Sequence, residues 1–393
     1  MRSDLDTLSK DVVSPIPASS DTQDFVDPVE SRARIPPGHL RTSELYWRDR
    51  QKWLEERGYM LRPRYMPDWK PSWEGTKKHY HECEDGLRSR HTFIVDATRM
   101  SDGTVVTLKN VSKSLHPHEA DIGLYFSAEQ LASDAHNHCV PIYEILHDPN
   151  DEDLVLLVMP LLRSFDEPPF DTVGEAVDFF RQCLEGMQLM HHHHVAHRDC
   201  MELNIMMDPA PMYPRSFHPS AETMKPDLTG KAKHYSRTER PTKYYYIDFG
   251  LSRKYDPENR SPVELPIEGG DKTVPEFQNE GYDKPWNPFR TDIYYIGNLI
   301  RTSFLQRYKG LEFMYALIND MVQADPEKRP TIDEVMTRFE GIYQSLSYWK
   351  LRSRLAKRHE FTVVRLVRAI AHAFRTTGYI VRRLPPLPNR PQS

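Results

Sequence analysis

Cysteine is scarce in this sequence. Four occur in 393 residues (Cys83, Cys139, Cys183 and Cys200), far apart and with no C-x-x-C pair. That argues against a disulfide scaffold and a four-cysteine zinc site, and makes a reducing compartment the expectation. Long apolar runs are also missing. The longest, Leu154 to Leu162, has nine residues and contains a proline, whereas a bilayer span needs about 20. The first residues, MRSDLDTLSKD, are polar and acidic and do not read as a secretory signal. The expectation is a soluble intracellular protein, cytoplasmic or nuclear. Glycine is thin, with 17 residues against 32 prolines, which favours stiff connections.

What is present suffices for a core. Hydrophobic residues make up 38% and charged residues 28%, and at roughly 150 residues per domain the length suggests two or three globular units. The net charge of −5 is unevenly spread. Residues 348–393 hold eleven Lys/Arg and one acid, Glu360, so this tail carries +10 and the remainder −15. Such asymmetry marks a binding tail, or a basic helix docked on an acidic body.

Residues 1–40 are rich in Ser, Pro and Asp without a period and are expected to be disordered. TSELYWRDRQKWLEERG then reads as a helix, with Thr42 or Ser43 as its cap and Gly58 past its end. Four of the six tryptophans (Trp47, Trp53, Trp69, Trp73) lie in this stretch and the next. That much aromatic area is expected to pack on a domain. Residues 91–110 read as two strands around a turn at Asp102-Gly103, and 116–131 as helical. VPIYEIL and DLVLLVMPLL read as strands. GEAVDFFRQCLEGMQLMHH reads as a helix with one buried stripe, carrying apolar residues at 176, 179, 180, 183 and 187. A strand-rich half followed by a helix-rich half implies α+β architecture with two unlike lobes.

That helix leads into VAHRDCMELNIMMD, which holds H-R-D-x-x-x-x-N as His197, Arg198, Asp199 and Asn204. Further on, KYYYIDFGLSR holds D-F-G as Asp248, Phe249 and Gly250. Val274-Pro275-Glu276, Asp292 and Arg329 in ADPEKRPT follow in order, and Val105 to Lys109 precedes. This ordered set resembles a eukaryotic-type protein kinase. With the tryptophans ahead of it, the whole resembles fungal protein-kinase-like proteins. The resemblance covers 88–347, about two thirds of the chain.

The resemblance implies a bilobal protein-kinase-like fold with a small strand-rich N-lobe and a larger helical C-lobe. It also implies ATP and Mg²⁺ as cofactors and a protein substrate. Asp199 would accept or orient the hydroxyl proton, and Asp248 and Asn204 would hold Mg²⁺, a cation that prefers oxygen. Lys109 would contact the phosphates, steadied by Glu119 or by its rival Asp121. Met159 would be the gatekeeper, and Pro160 to Leu162, with Leu161 at the centre, the hinge beneath adenine. Asp292, Glu276 and Arg329 would be structural. The implied boundaries are a disordered segment at 1–40, an aromatic-rich extension at 41–87 and an N-lobe at 88–161. A C-lobe follows at 162–347, with an insert at about 209–243, and then a basic helical and proline-rich tail at 348–393.

The sequence departs from the kinase pattern at three places. No G-x-G-x-x-G precedes the first strand, and residues 84–91 stand there with the single glycine Gly86. Arg88 or Arg90 is then a candidate for the missing phosphate contact. Met201 and Leu203 occupy the positions where kinases carry a lysine or an arginine; Lys272 is the substitute to test. Gly269 stands where a threonine is expected ahead of the P-E pair. Arg198 implies an anionic partner in the activation segment, with Thr273, Ser261 and Ser252 as candidate phosphosites. These departures leave two readings open: a serine/threonine protein kinase, and an inactive pseudokinase acting as a scaffold.

Other clusters read as structural. His191 to His194 resemble a kinase helix end more than a metal tract, and His136, His138 and Cys139 lack an evident fourth ligand. Cys200 reads as packing. In the tail, Val363, Leu366, Val367, Ile370 and Phe374 share one helical stripe. Such a helix packs on the lobe, or contacts a membrane or a partner. Residues 382–388, RRLPPLP, fit a Src-homology-3 type partner. Nothing points clearly to nucleic acid.

Overall fold

The computed structural model describes residues 35–259, 261–267 and 270–388. The expected disorder of 1–40 thus falls largely outside the described residues. The chain opens with α1 (Thr42–Glu56) and β1 (Tyr59–Leu61). The helix begins one residue before a Thr42 cap, and two before a Ser43 cap, would place it. Arg41 is the N-cap, and the Glu44 carboxylate in the first turn accepts its backbone N–H at 2.9 Å. After a long excursion come β2 (Ile94–Arg99), β3 (Val105–Ser112), α2 (Glu119–Ser127), the one-turn α3 (Glu129–Ala132), β4 (Glu144–His147) and β5 (Leu154–Pro160). The strands form an antiparallel five-stranded sheet in the order β1-β2-β3-β5-β4.

β1 comes from the aromatic-rich extension. Tyr59 pairs with Arg99 and Leu61 with Ala97. Residues 62–93 therefore connect the first two strands, where a short glycine-rich turn would otherwise run. Period-2 alternation sorts the sheet's side chains by face. Val106, Leu108, Leu156 and Val158 join Trp47, Leu54, Tyr59 and Tyr65 in a core between the sheet and α1, while Lys109 points to the opposite side.

Two buried arginines fix this extension. Arg64 pairs with Glu44 at 2.5 Å and donates to the carbonyls of Pro37, His39 and Asp85. Arg50 and the Tyr46 hydroxyl both donate to Asp148 in the β4–β5 turn. Asp85 in turn accepts from the Trp69 indole and from Ser72.

The second half holds β6 (Arg163–Ser164), α4 (Val173–His192), β7 (Val195–Ala196), β8 (Ile205–Met207), β9 (Tyr244–Tyr246) and β10 (Arg253–Lys254). Then come α5 (Pro288–Leu299), β11 (Tyr308–Lys309), α6 (Tyr315–Met321), α7 (Ile332–Gln344), α8 (Tyr348–Arg352), β12 (Ala356–Lys357) and α9 (Thr362–Val381). Thr172 caps α4 by accepting the Glu175 N–H. The expected single buried stripe of α4 is an underestimate, because Glu175, Asp178 and Gln182 are buried as well. Gln182 exchanges hydrogen bonds with Thr242 and Tyr244, and Glu175 accepts from Thr238, so the insert covers the helix's polar side. The architecture is an α+β, bilobal protein-kinase-like fold.

Truncating Arg64 would strand the Glu44 carboxylate in the interior. Arg64→Ala is expected to cost about 3–5 kcal/mol of unfolding free energy, read from urea denaturation.

Candidate active site

The cleft between the sheet and the helical lobe gathers most of the residues that the motifs single out. β3 delivers Lys109, whose ammonium donates to Glu119 at 2.5 Å and to Asp248 at 2.9 Å. Glu119 is the first residue of α2 and is buried, whereas Asp121 is exposed. The choice between the two acids therefore falls on Glu119. Burial alone would lower the Lys109 pKa, but the two carboxylates outweigh it and hold it above the ordinary value. Burial pushes Asp248 up, and the Lys109 ammonium overcomes this and holds it below the usual carboxylate range. Asp248 sits in the left-handed region at φ 63°, a conformation rare outside glycine. Phe249 beside it stacks on Phe126 of α2, joining that helix to the D-F-G turn.

Asp199 lies in the loop after β7. Asn204 donates to its carboxylate at 2.8 Å and to its carbonyl at 2.9 Å. The other carboxylate oxygen is buried without a hydrogen-bond partner among the described residues. Burial, reinforced by the Asp248 charge, pushes the Asp199 pKa up to about 7. The loop itself hangs on Asp292, which is fully buried and accepts the backbone N–H groups of His197 and Arg198 at 2.8 and 2.7 Å. Glu276 and Arg329 form a buried pair at 2.6 Å beneath it.

Met159 is buried on β5 and pairs in register with Thr107, and Leu161 is half-buried just past the strand. Among the described residues, no three His, Cys, Asp or Glu side chains are grouped to hold a metal. The oxygens left over point instead to a sparse oxygen site. Lys109 and the Gly250 N–H occupy Oδ1 of Asp248, and the Asn204 amide nitrogen is spent on Asp199. That leaves one oxygen on each of Asp248 and Asn204. A two-oxygen protein contribution suits Mg²⁺, which keeps waters and takes phosphate oxygens for the rest.

The departures also have structural answers. Arg88 donates to the carbonyls of Ile35, Pro36 and His39, and Arg90 pairs with Glu222. Both candidate phosphate contacts are thus engaged elsewhere. Met201 is half-buried and Lys272 exposed, with no bond from the Lys272 side chain to Asp199 among the described residues. Gly270 of the same segment lies against Asp199 instead: at φ 65°, a Cβ there would stand 2.9 Å from the carboxylate. The anionic partner expected for Arg198 is a carboxylate, Glu264, at 3.8 Å. Ser252 is buried and donates to the His197 carbonyl, while Ser261 and Thr273 are exposed.

The histidine and cysteine clusters are dispersed. His191 bonds Asp292, His192 bonds Asp333 and His193 bonds Tyr125. His138 is buried against the Tyr244 carbonyl, and Cys200 is buried against Asp292.

How the insert folds is not legible in its residues. Its Glu222 lies 2.9 Å from Arg90 on one lobe and 3.2 Å from Arg163 on the other. His218 and Ser220 reach Glu84 and Arg62 of the excursion. Arg237 is buried and donates to the Phe165 and Pro168 carbonyls. These partners are far away in sequence, so low-complexity composition hid them.

NUAK family SNF1-like kinase 2 of Rattus norvegicus is 26% identical over 151 residues, 34% of this chain. A light-sensor protein kinase of Ceratodon purpureus is 25% identical over 260 residues, 54% of this chain. Serine/threonine-protein kinase WNG2 of Toxoplasma gondii is 26% identical over 233 residues, 57% of this chain. The chain is related to protein kinases. The matches cover 23%, 17% and 36% of these relatives' own lengths. No protein-family model matches.

The raised pKa of Asp199 has a stability consequence. Below its ordinary value of 3.8 the group is protonated, folded or unfolded, and costs nothing. As pH rises from there to about 7, the unfolded state ionises while the folded state holds its proton, so stability falls. Asp199→Asn removes that cost. Its melting temperature is expected to match wild type near pH 4 and exceed it at pH 8, by on the order of 2–4 kcal/mol in free energy.

Proposed function

We propose that this protein binds ATP·Mg²⁺ and transfers the γ-phosphoryl group to a serine or threonine hydroxyl of a protein substrate. The observation that carries this reading is the Lys109–Glu119 pair closed onto Asp248, with Asp199 held by Asn204 beside it. Lys109 would bind the α/β phosphates, and Glu119 would position Lys109. Mg²⁺ would sit on the free oxygens of Asp248 and Asn204 and neutralise charge on the phosphates. The adenine would lie between the lobes, against Met159 and the Leu161 hinge. The acceptor oxygen bonds the γ-phosphorus as the bond to the ADP oxygen breaks, and its proton passes to Asp199. A carboxylate with a pKa about 7 is suited to holding that proton. Residues 88–161, with α1 and β1 of the extension completing their sheet and its core, and residues 162–347 would serve as the two lobes. Four unpaired, buried cysteines fit an intracellular setting.

A second reading has its own support. Among the described residues no cation bonds Asp199 in place of the lysine missing at Met201, and Gly270 of the activation segment lies so near Asp199 that a Cβ there would stand 2.9 Å from its carboxylate. A pseudokinase that binds nucleotide without turnover, or binds none, would share these features. The relatives' names include serine/threonine-protein kinase for WNG2, which favours the first reading.

Thermal shift or calorimetry with ATP, with and without Mg²⁺, tests the nucleotide site, and a phosphate-transfer assay then separates the two. Metal-dependent stabilisation that Asp248→Ala abolishes is expected, and no stabilisation at millimolar ATP would overturn the nucleotide site. Phosphate transfer to a protein substrate is expected to fall at least about a hundredfold in Asp199→Asn. Nucleotide binding with no transfer in wild type would leave the scaffold reading.

A further inference from the structure

Helix α9 is docked with its apolar side outward. At about 100° per residue, Val363, Leu366, Val367, Ile370, Phe374 and Val381 occupy one sector of the helix. All six are exposed, Phe374 at 76% and Val363 at 74%. The opposite sector makes the contacts with the body. Arg368 pairs with Glu360, His372 bonds the Arg352 carbonyl and Arg375 pairs with Asp171. The Tyr379 hydroxyl donates to Ser236, and its ring is the only side chain of α9 classed as buried. The inside of the helix is therefore polar and its outside apolar, the reverse of a helix packed for stability.

We infer that α9 lies flat on an anionic lipid surface, with its apolar stripe inserted between headgroups. Charge selects this occupant. No Asp or Glu occurs between Phe361 and Pro388. Lys357 precedes the stripe along the chain and Arg383 follows it. Both are exposed and in no ion pair among the described residues. A second copy of the chain would bring cationic ends together in either orientation. An anionic bilayer satisfies both ends at once, each cation contributing about 1 kcal/mol. Because the back of α9 is already seated on the protein, only its outer sector is offered, which suits a flat surface rather than an enclosing groove. No described helix is long and apolar enough to cross a membrane, so the contact is peripheral.

The test uses the full chain and vesicles of phosphatidylcholine, with or without about 30% phosphatidylserine. Sedimentation with the anionic vesicles is expected, weakened by salt and reduced at least about tenfold in the I370D/F374D double variant. K357E/R383E is expected to lose a similar amount. Both pairs of sites are exposed, so unchanged melting temperatures are expected. Phe374→Trp supplies a second readout, with emission shifting to the blue on anionic vesicles. No binding to either vesicle would overturn the inference, as would binding indifferent to I370D/F374D, or unshifted emission. A dimer dispersed by I370D/F374D in the absence of vesicle binding would assign the stripe to a second copy instead, and capture by a partner protein alone would also count against lipid.

Discussion

One buried carboxylate organises the candidate site. Asp292 accepts two consecutive backbone N–H groups, of His197 and Arg198, and lies 3.1 Å from the His191 ring. Arg198 is held at φ 68°, a left-handed conformation that an arginine does not adopt unaided. The hydrogen bonds at Asp292 pin the chain in that turn, and the turn aims Asp199 into the cleft. Asn204 then fixes the Asp199 carboxylate, and the Asn204 carbonyl accepts the Ile247 N–H, which brings the D-F-G strand alongside. His197 completes the link through the Ile247 carbonyl. The loop and the D-F-G turn are thus one hydrogen-bonded unit hung from helix α5.

The N-lobe shows a different economy. Glycines that would let backbone approach phosphates are replaced by an excursion whose polar groups serve folding. Arg62, Arg64, Arg88 and Asp85 each bond several groups within the extension, insert and excursion. The charges of these four side chains are taken up internally, so they serve the packing of the N-lobe. The insert extends the same logic across the cleft through Glu222, which is shared between Arg90 and Arg163.

The positions of the motif residues were readable from sequence because the motifs are local. H-R-D-x-x-x-x-N and D-F-G fix residue types within a turn or two, and the structure brings their side chains together. Strand-then-helix order likewise gave the fold class. Long-range facts were not readable. Tyr59 to Leu61 is too short to show alternation, so its place in the sheet was hidden. The polar residues Glu175 and Gln182 read as an exposed face, yet the insert buries them. For α9, periodicity showed that one side is apolar but not which side meets the body. That depended on Asp171, Glu239 and Glu360, acids that pair with its arginines.

The placement of β1 bears on where this chain can be cut. A fragment beginning at residue 88 would contain every kinase-like motif. It would also lose the strand that covers the outer edge of β2 and the helix that covers one face of the sheet. Val95, Ala97, Val106, Leu108, Leu156 and Val158 would then face water beside an open row of backbone donors and acceptors. Such an edge recruits other strands. The minimal folding unit is therefore longer than the motif-bearing one, and begins upstream of α1.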